Sequence, residues 1–87
     1  MTKYLIHIVD MSSDLQDKCK AIITDAFDKH LDEKSIADDI RKKIQKVHEP
    51  SWNCIVGKHF GAHVVHQTNC YLFCSYGELS ILLWKSG

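Results

Sequence analysis

The stretch PSWNCIVGKHFGAHVVHQTNCYLFCSYGELSILLW, residues 50–84, decides the fold. It holds four short runs of β-branched and aromatic residues, at 52–56, 60–66, 70–76 and 79–84. They are separated by Gly57-Lys58-His59, Gln67-Thr68-Asn69 and Gly77-Glu78, gaps of hairpin size. No helical spacing of apolar positions survives in this half, so it reads as sheet. In the last run Leu79, Ile81 and Leu83 share one face while Ser80, Leu82 and Trp84 share the other, which makes both faces apolar enough to require cover.

Working outward, Pro50 stops whatever precedes it. Upstream, Ile36, Ala37, Ile40, Ile44 and Val47 draw a stripe that predicts a helix over 34–48. A break at Leu31-Asp32-Glu33 separates it from a second stripe at Leu15, Cys19, Ile22, Ile23, Ala26 and Phe27, a helix over 13–30. Ahead of Asp10-Met11-Ser12-Ser13, whose side-chain oxygens suit a helix cap, the run YLIHIV predicts a first strand over 4–9. The expected fold is therefore α+β, one domain spanning 1–87, with two helices packed on a mostly antiparallel five-stranded sheet. Helices on one side leave the other side of the sheet bare, and a partner subunit or bound peptide is the economical cover.

Composition narrows the function classes. A chain of 87 residues with 45% apolar and 25% charged residues, one proline and four glycines has the makeup of a single globular domain. At that size only about 60 to 65% of the unfolded surface is buried, so a second subunit, a metal or disulfides would add needed stability. Eleven basic and eleven acidic residues cancel, which removes the long-range field that would steer the chain onto nucleic acid or an anionic bilayer. The longest apolar stretch, 79–84, is far short of a membrane span. Without a basic-then-apolar leader and without a regular disulfide spacing, Cys19, Cys54, Cys70 and Cys74 are expected as reduced thiols in a cytosolic protein.

Six histidines and four cysteines raise the question of zinc. Cys70 and Cys74, four apart in a strand, share a face but lie about 13 Å apart, too far for one ion. His63 and His66 fall on opposite faces. The cysteines read as small core hydrophobes beside Leu72. Cys54 with His59 or His66 would make a nucleophile pair only if the fold brought them together, and no motif frames them. His7 reads as a surface or half-buried sheet histidine.

The segment WNCIVGKHFG at 52–61, the closing ILLWKSG, Pro50-Ser51-Trp52 and Lys34-Ser35-Ile36 together resemble the small cytoplasmic dynein light chain family of dimeric hub proteins, over about residues 10–87. The resemblance implies a strand-swapped homodimer in which the strand at 60–66 joins the partner's sheet. It implies a non-catalytic function without cofactor, metal, nucleic acid or membrane: two symmetric grooves that capture extended segments by β-augmentation. The expected partners are the dynein intermediate chain and other proteins with short glutamine-centred motifs, in the cytoplasm and on the cytoskeleton. Carried over residue by residue, the groove would comprise Glu33 and Lys34 at the helix start, where free amides receive a side-chain carbonyl. It continues through Phe60, Gly61, Ala62, His63, Val64, Val65 and His66, with Tyr71, Phe73, Ser75, Ser80 and Leu82 from the sheet. The dimer interface would comprise Asn53, Ile55, Gly57, Lys58, Phe60 and Ser86.

Departures from the family pattern carry expectations of their own. Asn53 stands where the family usually has an interface histidine, so an acid-triggered split of the dimer should be weak or missing. His63, Val65 and Ser75 replace a usual tyrosine, threonine and tyrosine, which implies a different or narrower peptide preference. Phosphorylation of Ser86 would place charge beside its symmetry mate. Two other readings stay open at this point: a zinc- or thiol-based redox protein using Cys70, Cys74 and the histidines, and a family-shaped dimerisation module without peptide binding.

Overall fold

The computed structural model describes residues 4–48, 51–58 and 70–85. Their order is β1 (Tyr4–Met11), α1 (Ser13–Lys29), α2 (Glu33–Val47), β2 (Trp52–Gly57), β3 (Cys70–Tyr76) and β4 (Leu79–Lys85). The strands form one antiparallel sheet in the order β1-β3-β4-β2. The expected α+β architecture stands, with four strands among the described residues; the predicted strand at 60–66 lies outside them.

Each helix begins where a side chain satisfies a free amide. Ser12 Oγ accepts from the Leu15 amide at 3.3 Å, and an Asp32 carboxylate oxygen accepts from the Ser35 amide at 2.9 Å. Because Asp32 is the cap, α2 starts at Glu33 rather than at the expected Lys34. His30 and His48 are the C-terminal caps and donate their backbone N–H groups to Ala26 and Ile44. Each helix therefore ends one residue before the sequence reading placed it. The strands β1, β2 and β4 in turn run two, one and one residues past their expected ends, since backbone pairing outlasts the apolar run.

The core follows from the two stripes. Leu15, Cys19, Ile23 and Ala26 of α1 and Ile36, Ile40 and Ile44 of α2 are buried. They pack with Met11, Trp52, Val56, Cys70, Leu72, Cys74, Ile81 and Leu83 in one cluster. These sheet residues alternate along their strands, so all lie on the same face, which is the face the helices cover. Between the helices, Asp25 of α1 pairs with Lys43 of α2 and His30 lies 3.3 Å from Asp39; within the helices, Asp25 pairs with Lys29 at 3.2 Å and Lys43 with Asp39 at 3.4 Å. The Lys43 hydrogen bond holds the Asp25 carboxyl below the usual carboxylate range, and the same bond raises the Lys43 ammonium. Exposed pairs of this kind contribute little stability; their effect is on how α1 and α2 are set against each other.

Gly77 closes the β3–β4 hairpin with a positive φ of 63°. The loop has only two residues, Gly77 and Glu78, between the paired Tyr76 and Leu79, and such a loop demands a left-handed residue that glycine adopts without a Cβ clash.

Candidate functional site

The face of the sheet opposite the helices is built by register. Across β1-β3-β4-β2, Asp10, Tyr71, Trp84 and Asn53 form one row, Ile8, Phe73, Leu82 and Ile55 the next, and Leu5, Ser75, Ser80 and Gly57 a third. The middle row is apolar from edge to edge. Leu82 and Tyr71, at the centre, keep only 2% and 5% of their surface, whereas Ile55 and Ile8, on the two edge strands, keep 45% and 53%. The row is thus closed at its centre and half open only at its two ends, where Ile8 and Ile55 leave apolar surface for a docking partner.

The third row is polar at its centre, where Ser75 and Ser80 pair, and ends at the β1 edge on the exposed Leu5. A depression of about 620 Å³ is lined by His7, Lys58, Ser75, Gly77, Glu78 and Ser80. His7 Nε2 lies 3.1 Å from Ser75 Oγ, and the His7 ring tilts against Phe73 with centroids 5.4 Å apart.

Five of the sequence-predicted groove residues, Tyr71, Phe73, Ser75, Ser80 and Leu82, thus share this face, as alternation within each strand requires. Asn53, Ile55 and Gly57 lie on it along β2, and Lys58 follows at its rim. Glu33 and Lys34 sit exposed in the first turn of α2, behind the Asp32 cap. Nothing among the described contacts brings them to the sheet residues. Phe60, Gly61, Ala62, His63, Val64, Val65, His66 and Ser86 lie outside the described residues.

The sequence reading missed the contribution of β1. The register shifts between Ile6, opposite Cys74, and Ile8, opposite Phe73, which leaves His7 as the extra residue of a bulge. The bulge turns Ile8 and Asp10 onto the open face and Val9 and Met11 onto the helix face. Strict alternation would have put Asp10 in line with Tyr4 and Ile6 and left Met11 on the open side. A carboxylate on the apolar side of the strand was the available signal that one residue had to be absorbed.

The four cysteines are free thiols, three of them buried and Cys54 partly so. Burial pushes Cys19 and Cys74 up to about 12, and pushes Cys54 up as well. Thiols held protonated in this way are poor nucleophiles and poor metal ligands. Among the described residues no group of three or more histidine, cysteine or acidic side chains could hold a metal ion, and no helix is long and apolar enough to cross a membrane.

The comparisons with known proteins agree with this architecture. The family model described as Dynein light chain type 1 matches residues 3–86. A dynein light chain of Schistosoma mansoni is 40% identical over 85 residues, covering 98% of this chain and 96% of that protein. In fold, the chain is similar to the dynein light chain-like domain of a Fasciola hepatica calcium binding protein, with a TM-score of 0.75 and 20% identity, covering 99% of this chain and 93% of the other. A mercury derivative of the same domain gives a TM-score of 0.72 over 97% and 92% of the two chains, again at 20% identity.

Proposed function

The chain belongs to the dynein light chain family, and on that premise we propose that it is a non-catalytic, homodimeric peptide-binding hub of the cytoplasmic dynein motor complex. In this reading the segment 60–66 of each protomer joins the partner's sheet. The exposed edge of that strand then captures extended segments of the intermediate chain and of other proteins with glutamine-centred motifs, in two symmetric grooves. The protein works in the cytoplasm, on the cytoskeleton.

The observation that carries the reading is the apolar row Ile8-Phe73-Leu82-Ile55 on the side of the sheet the helices do not cover. The two ends of that row, Ile8 and Ile55, stay half open in the protomer, and a two-fold partner covers them on both copies at once. Paired grooves also turn weak single-site binding into tight capture of a dimeric or tandem partner. Clamping needs no reacting group, which is consistent with cysteines sunk into the core and held protonated.

Titration calorimetry with a short glutamine-centred, threonine-flanked peptide tests the proposal. Saturable binding at one peptide per protomer is expected. A protein that dimerises yet takes up no peptide would establish the dimerisation module instead.

A further inference from the structure

The sheet ends on β1, and one edge of β1 is unused. Among the described residues its main chain pairs with β3 alone, so the amides and carbonyls on its other side meet no strand. Tyr4–Met11 runs eight residues and contains neither lysine nor proline, the residues that usually block pairing at a bare edge. On the helix side of this edge Ile6 and Val9, opposite Cys74 and Leu72, are exposed. They lie outside the apolar row assigned to the two-fold partner and at the far end of the sheet from β2.

The bulge gives this edge a symmetry that a regular strand lacks. Cross-strand neighbours put Tyr4, Ile6, Val9 and Met11 on the helix side and Leu5, Ile8 and Asp10 on the open side. His7 joins the open side, where it meets Ser75 and Phe73. From Tyr4 to Met11 the order is helix, open, helix, open, open, helix, open, helix, which is the same read backwards. Antiparallel partners share a face, so a regular strand of eight set against its own copy in full overlap would oppose opposite faces. With the extra residue, full overlap about an axis between His7 and Ile8 matches every pair: Tyr4 with Met11 of the second copy, Leu5 with Asp10, Ile6 with Val9 and His7 with Ile8. The outward amides and carbonyls follow the same alternation and come into register with the side chains. Ile6 and Val9 then meet twice, once on each side of the axis.

We propose that β1 is a second docking surface whose occupant is β1 of another copy of this chain, paired antiparallel about that axis. A palindromic face pattern matches the same strand reversed, which singles out a second copy over a foreign segment. Eight residues a side is well below the roughly 20–30 of a stable interface, so the contact is weak and forms only in concentrated protein. It goes beyond the hub: each dimer joined through β2 and the 60–66 segments would still offer two β1 edges, and pairing there links dimers end to end.

The test is sedimentation velocity of the full chain over a dilution series reaching about 1 mM, on the wild type, Ile6→Lys, Val9→Glu, the double variant, and Leu31→Lys as control. Ile6 and Val9 are exposed at the edge, Leu31 is fully exposed between α1 and α2, and circular dichroism verifies each fold. The wild type and Leu31→Lys are expected to gain mass in the upper part of the series. Either single edge variant is expected to weaken that association about tenfold, since each altered residue is met twice across the axis. The double variant is expected to regain about fivefold over the singles, because the new ammonium and carboxylate face each other at both contacts. A wild type of constant mass across the series, single variants that associate as the wild type does, or a double variant no better than the singles overturns the pairing. None of these outcomes depends on peptide uptake, so the hub and this contact stand or fall separately.

Discussion

Replacing Ile55 with alanine separates the proposed dimer from the fold. Ile55 sits on the edge strand β2 in the apolar row and keeps 45% of its surface exposed in the protomer. Full burial of such a side chain contributes about 1.5–3 kcal/mol, so a partner covering the open portion gains about 1 kcal/mol. A two-fold axis applies the loss twice, giving about 2 kcal/mol, or a dimer weakened roughly thirtyfold. Val47, in the last turn of α2, is open to a similar 49% but lies away from that face, so Val47→Ala serves as the matched control. Sedimentation equilibrium over a concentration series measures both dissociation constants, and thermal melting verifies that both variants fold. An Ile55→Ala dimer as tight as the wild type, or one weakened no more than Val47→Ala, would refute the assignment of this face to the interface.

Four further outcomes follow from particular contacts and buried groups. Ser12→Ala removes the acceptor for the Leu15 amide at the start of α1 and is expected to cost about 1 kcal/mol, read by urea unfolding. The Asp32 carboxyl is held low chiefly by the Ser35 amide, so the stability it provides is present above the unfolded carboxylate range and is lost as pH falls through the folded value. Acid melting curves should accordingly drop below about pH 4 for the wild type and start lower but fall less steeply for Asp32→Ala. Cys19 and Cys74 are displaced the other way, from 9.0 to about 12, so stability should be level below pH 9.0 and decline toward pH 12 as the unfolded thiols ionise. At neutral pH a thiol reagent should label the native protein slowly and release four equivalents in denaturant; a fast native thiol would revive the redox reading.

The parts of the fold legible in the sequence were those with a strong period. Leu15, Cys19, Ile23 and Ala26, and likewise Ile36, Ile40 and Ile44, declare their helices by spacing alone, and the alternation of Leu79 to Trp84 declares a strand apolar on both sides. Helix ends shifted by one residue because the caps at Asp32, His30 and His48 are fixed by hydrogen bonds that periodicity does not encode. The bulge at His7 was hidden for a related reason. It is a property of pairing with β3, and it decides that His7 and Ile8 belong to the same face as Phe73 and Ser75. Of the candidate site, the common face of Tyr71, Phe73, Ser75, Ser80 and Leu82 could be read from alternation within β3 and β4. The polar depression needed the strand order, since it collects His7 from β1 and Lys58 from the end of β2, residues 51 positions apart.

Sedimentation equilibrium of the wild-type chain with and without a saturating glutamine-centred peptide tests the whole account in one experiment. The account predicts a particle of twice the 10.0 kDa chain mass that gains two peptides. A particle of one chain mass at every concentration, with no peptide carried along, would contradict it.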